Sequence, residues 1–132
     1  MKSYTDFKQS KKLAEILPLE SADMVLLHEE PYETSDSKFD GLHQALCVPF
    51  SKYDKSWRQK YKNISYFPCW SLAALLDILD YPQLSKDKLG SGKTGWMVSV
   101  YHDNCRYDSC WHNNSIDACY EMIIKLKDLN LL

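Results

Sequence analysis

Residues 69–80 read CWSLAALLDILD, apolar on almost every side, with Pro68 directly before them and Pro82 just after. A run of that character and length is a core helix, and the rest of the chain has to pack around it. Pro68 suits the first turn of such a helix, where its missing N–H is one the helix does not use. The expected helix therefore opens at Cys69 and closes near Asp80. A membrane span needs about 20 apolar residues, and no apolar run in the chain reaches that.

With 132 residues, the chain is read as a single domain, 1–132. Its 45% hydrophobic and 26% charged residues are a globular mixture, neither disordered nor fibrous. A net charge of −2 excludes a globally cationic nucleic-acid binder. The opening MKSYTDFKQSKK carries no apolar stretch of the secretory kind, so a cytoplasmic protein is expected. Five cysteines, at 47, 69, 105, 110 and 119, follow no disulfide spacing and are expected to be reduced, most of them buried.

Around the central helix the pattern predicts a helix over 5–17, capped by Thr5, with Phe7, Ser10, Leu13, Ala14 and Leu17 on one face. Strands are expected at 24–28 and 43–50. The acidic, turn-rich stretch 29–41 between them reads as a surface loop. A helix over 51–61 is expected from Ser51 and Asp54, with Tyr53, Trp57 and Tyr61 as an aromatic stripe. Residues 81–93 read as a polar connector. A hairpin over 96–101 and 105–111, turning at Asp103-Asn104, would set Trp96 against Trp111, Val98 against Ser109 and Val100 against Tyr107. Met97, Ser99, Tyr101, Arg106, Asp108 and Cys110 then share the more mixed face. A last helix, capped by Ser115, would pair Glu121 with Lys125 and bury Ile116, Cys119, Tyr120, Ile123 and Leu126. Helices and strands do not alternate strictly, so the expected class is α+β: an antiparallel sheet of three to four strands against about four helices.

Four features bear on chemistry. Gly90-Ser91-Gly92-Lys93-Thr94 resembles a phosphate loop, but Asp87 stands where its first glycine belongs and a strand follows instead of a helix. A flexible loop feeding the hairpin is the better reading. His102, Cys105, Cys110 and His112 have the composition of a metal set. In the hairpin register only His102 with Cys105, and Cys110 with His112, share a face, so no metal and no cofactor is expected. Cys69, at the expected helix N-terminus, is the candidate nucleophile, since free N–H groups there lower a thiol pKa and can hold an oxyanion. The run Cys69-Trp70-Ser71-Leu72-Ala73 resembles the nucleophile segment of papain-like cysteine proteases over about five residues. His102, with Asn104 or Asn113, would complete such a set in the right chain order. Pro68 stands where that family has glycine, and a core cysteine packed beside Trp70 explains the same letters. Finally, Lys52, Lys55, Trp57 and Arg58 interleave cations with an aromatic ring, as a stacking or partner-binding surface would. A solvated helix face with its rings turned inward has the same spacing.

Three longer segments, YTDFKQSKKLAEILPLESADM, PCWSLAALLDIL and DACYEMIIKLKDLNLL, resemble a family of small uncharacterised proteins from gut-commensal bacterial genomes and their mobile elements. The resemblance spans about half the chain and carries no known activity. It implies a bacterial cytoplasmic protein. The resulting expectation is a non-enzymatic accessory or protein-interaction module, working through a protein partner or self-association. Its expected surface joins the basic aromatic helix to the acidic loop. A small thiol hydrolase built on Cys69 and a weak nucleic-acid binder are the alternatives.

Overall fold

A computed structural model describes residues 2–29, 43–50 and 64–132. The expected helix over 51–61 and the acidic stretch beyond Glu29 lie outside them. The elements are α1 (Phe7–Ile16), a 3-10 turn (Leu19–Ser21), β1 (Met24–Glu29), β2 (His43–Leu46), β3 (Ile64–Cys69), α2 (Leu72–Ile78), β4 (Gln83–Lys88), β5 (Thr94–His102), β6 (Cys105–Asp108) and α3 (Ser115–Asp128). The fold is α+β. Its strands form two three-stranded antiparallel sheets, ordered β2-β1-β3 and β4-β5-β6, instead of the single sheet expected. Three α-helices lie among the described residues. None is long and apolar enough to cross a membrane.

The chain groups into two compact units, Asp6–Trp70 and Met1–Thr5 with Ser71–Leu132. In the first, α1 starts one residue later than its expected cap. Asp6 is the N-cap, its carboxylate accepting the Gln9 N–H while the Gln9 side chain accepts the Asp6 N–H. This reciprocal box satisfies two donors that a Thr5 cap would leave to water, and Thr5 is buried instead. Helix α1 packs against β3. The Phe7 ring meets Phe67 edge-on at 4.8 Å between centroids. Met24, Leu26 and Cys69 form the buried core beneath, with Phe7 and Ala45 against it.

Pro68 and Cys69 belong to a strand, not to a helix. β3 pairs with β1 over its whole length, Pro68 opposite Val25 and Cys69 opposite Met24. β3 is the edge of its sheet, so a residue without an N–H is tolerated there. Proline fits a helix first turn and an edge strand alike, and that ambiguity displaced the expected helix start. The helix begins at Leu72, capped by the Ser71 hydroxyl, which accepts the Ala74 N–H at 3.2 Å. It has seven residues, and only Leu75 is fully buried while Ala73 and Asp77 face solvent.

In the second unit, 83–88 is a strand where a connector was expected. β4 is an edge strand with one neighbour and mostly wet faces, so QLSKDK needs no apolar alternation, and its lysines discourage further pairing. The glycines after it form a hairpin tip. Leu89 N–H donates to Lys93 O, and Gly92, at φ 80°, takes the left-handed turn position. No helix follows, so the phosphate-loop geometry is absent from this segment.

The β5–β6 hairpin turns at Asp103 and Asn104, both at positive φ as a two-residue primed turn requires. Val100 faces Tyr107 and Val98 bonds to Ser109, as expected. Beyond Ser109 the chain slips by one residue, so Trp96 pairs with His112 through two backbone hydrogen bonds and not with Trp111. Helix α3 packs on β5 and on α2. Its cap is Asn114, whose carbonyl accepts the Asp117 N–H while its amide donates to the Asp117 carboxylate. Ser115, the expected cap, is buried in the first turn. Ile116, Cys119, Ile123 and Leu126 are buried as expected, joined by Ala118 and Met122, and Tyr120 is half-buried. Lys2 reaches Asp117 at 2.8 Å, and Tyr4 bridges Ser71, tying the N-terminal residues to this unit.

Candidate functional site

Cys69 is fully buried at the end of β3, two residues short of the Ser71 cap. The N–H groups that would activate a thiol therefore open at Ser71 and beyond, and a sulfur with 0% exposure meets no substrate. Cys119, equally buried in α3, has its thiol pushed up to about 12 by burial. Both behave as small apolar core residues. His102 and Asn104 lie together at the β5–β6 turn. The His102 ring sits between two carboxylates, with Nδ1 3.7 Å from Asp80 Oδ2 and Nε2 3.4 Å from Asp103 Oδ2. Lys52, Lys55, Trp57 and Arg58 lie outside the described residues.

The side chains that the second unit does assemble stand along β6 and α3. On one face of the sheet Ser99 is 1% exposed, and its hydroxyl donates to Asp108 Oδ1 at 2.6 Å. Arg106 Nε donates to the same carboxylate oxygen at 2.8 Å, and its Nη2 reaches Ser99 Oγ at 3.3 Å. The Ser99 hydrogen bond, then that of Arg106, holds the Asp108 carboxyl below its usual range. Tyr101 stands directly opposite Arg106 in the ladder, so ring and guanidinium share this face. Tyr101 is 41% exposed.

A second cluster centres on Glu121. Its Oε2 accepts the Cys110 N–H at 2.7 Å and meets His112 Nε2 at 2.8 Å. Lys125, its expected partner, donates to the Asp108 carbonyl at 2.9 Å. The helix spacing between Glu121 and Lys125 is right, but the strand end offers both side chains better-placed partners. Partial burial alone would raise the Glu121 carboxyl, but hydrogen bonds from His112 and from the backbone and thiol of Cys110 outweigh it and lower it. The same contact raises the Cys110 thiol, because its S–H donates to the Glu121 carboxylate and that charge disfavours the thiolate. Cys110 is therefore exposed, with its thiol form favoured over the thiolate. Among the described residues, no group of three or more His, Cys, Asp or Glu side chains is arranged to hold a metal ion.

Replacing Glu121 with Gln tests this arrangement twice. Thiol labelling of Cys110 at neutral pH should speed up, roughly three- to tenfold, as the thiol returns toward its ordinary range. A carboxyl lowered in the folded state stabilises above its unfolded pKa and stops doing so as pH falls through the folded value. Melting temperature should therefore begin to fall below about pH 4.5, and E121Q should remove part of that fall. Unchanged Cys110 reactivity in E121Q would contradict the contact.

Arg106 and Asp108 were legible in the sequence only as members of a mixed face. The Arg106–Asp108–Ser99 bonding was not, because it spans two strands. Compared with protein-family models, curated proteins and solved structures, the chain finds no match.

Proposed function

We propose that the chain is a protein-interaction module whose contact face includes Tyr101 and Arg106. The observation that carries this reading is the pairing of a half-exposed guanidinium with an exposed ring on one sheet face, the guanidinium already held by Asp108 and Ser99. Tyr, Trp and Arg dominate the energetics of protein interfaces. An Arg fixed before binding loses less rotamer entropy on association. Tyr81, 82% exposed at φ 45°, and Trp111, 41% exposed, add large rings to the surface of the same unit. A bulky residue held at positive φ with its ring in water is not explained by packing. The resemblance to small gut-commensal bacterial proteins, which carries no activity, belongs to this proposal, as does a cytoplasmic setting.

The test compares affinity capture by the wild-type chain with capture by a Tyr101→Ala, Arg106→Ala double variant, alongside sedimentation velocity of both across concentration. Loss of about 2 kcal/mol or more, near thirtyfold in affinity, from a discrete partner or from self-association is expected. Identical binding and identical sedimentation of the two proteins would overturn the reading.

A further inference from the structure

Strand β4 pairs on one side only. Leu89 N–H bonds to Lys93 O across the hairpin tip, in the same register that sets Gln83 opposite Ser99 and Asp87 opposite Gly95. The odd residues of β4 therefore turn their backbone groups toward β5. Trp96 and Val98 agree, since both bond toward the β6 side. The N–H and C=O of Leu84 and Lys86 point outward, and among the described residues no strand lies beyond them. Lys88 closes this stretch, its N–H donating to Asp87 Oδ1 at 2.8 Å.

The side chains along the edge carry one sign of charge on one face. Successive residues of a strand alternate, so Leu84, Lys86 and Lys88 share a face, and Ser85 and Asp87 share the other. Lys86 and Lys88 are exposed. Lys86 stands opposite Trp96 in the ladder, and its Nζ lies 5.0 Å from the ring centroid, which holds the ammonium on that face. Lysines on an edge discourage pairing with most strands, and the exception is a strand that sets carboxylates opposite them.

We propose that the outer edge of β4 is a docking site for an extended acidic segment of a partner protein, which adds a fourth strand to this sheet. In antiparallel addition, carboxylates at alternate positions stand opposite Lys88 and Lys86, and an apolar side chain stands opposite Leu84. Main-chain hydrogen bonds to Leu84 and Lys86 supply the affinity, and the two lysines supply the preference for acidic sequences. This edge is separate from the Tyr101–Arg106 face and does not rest on that reading.

The experiment measures fluorescence anisotropy of labelled peptides titrated with the full chain. The acidic probe is Thr-Glu-Thr-Glu-Thr-Val, and its control replaces both Glu with Lys. The acidic peptide should bind at least about tenfold more tightly than the control, with a difference that narrows as salt rises. Lys86→Glu with Lys88→Glu should reverse the preference, which also reports that the edge is still formed. N-methylation of the second Glu of the probe keeps its charge and removes the N–H that pairs with Lys86, and should abolish binding. The Tyr101→Ala, Arg106→Ala variant should bind the probe as the wild type does. Equal affinity for the two peptides overturns the proposal, and so does an N-methylated probe that binds as tightly as its parent. A dimer in sedimentation that the charge-reversed variant loses, with no peptide binding, would make a second copy the occupant and overturn it as well.

Discussion

Trp70→Ala should destabilise the protein by about 3–5 kcal/mol, the largest loss expected from any one substitution described here. Trp70 is fully buried, and its indole N–H donates to Ser21 Oγ at 3.0 Å. Ser21 is itself fixed, its hydroxyl donating to Pro18 O at 2.6 Å across the 3-10 turn. Truncation removes the largest side chain of the core, leaves a cavity the surroundings fill only in part, and costs the indole hydrogen bond. Trp70→Phe separates these contributions, keeping most of the apolar volume and losing the donor, and should cost about 1–2 kcal/mol. Both values are read from urea denaturation. A loss under about 1 kcal/mol for the alanine variant would mean that the ring does not fill the interior as described.

Ile123→Ala should cost about 2–5 kcal/mol. Ile123 is fully buried on the stripe of α3 that also carries Ile116, Cys119, Met122 and Leu126. The helix packs on β5, where Val98 and Val100 are buried, and on α2, whose one fully buried residue is Leu75. A void there lies between a sheet and two helices and has little freedom to close. Exposed Lys127 lies on the same helix, and Lys127→Ala should stay within about 0.5 kcal/mol. Similar losses for the two variants would contradict the assigned helix face.

How much of this was legible in the sequence depended on how many partners each segment has. α3 was readable because its apolar period of 3.6 extends over fourteen residues, and one-sided burial writes that period directly. The β5–β6 hairpin was readable because Asp103-Asn104 between alternating strands admits few turn types, and the turn sets the register. Its slip near Trp111 was not, since a one-residue bulge leaves no mark in the composition. β4 was missed because an edge strand with one neighbour can be almost wholly polar. The start of α2 was misplaced because Pro68 suits an edge strand as well as a helix first turn, and with it went the reading of Cys69 as a nucleophile. The caps failed by one residue each, Thr5 for Asp6 and Ser115 for Asn114, because adjacent residues all carried capping side chains. The Arg106–Asp108–Ser99 and Glu121–His112–Cys110 bonds join separate elements, and only the fold brings them together.

The central claim is that the chain acts by binding through the Tyr101–Arg106 face. The most direct measurement places a photo-crosslinking amino acid at position 101 in cells expressing the chain, with a control at exposed Lys93 on the β4–β5 tip. Position 101 should give a discrete, partner-sized or dimer-sized adduct that position 93 does not, and Arg106→Ala should weaken it. No adduct at 101, or the same adducts from both positions, would contradict the account.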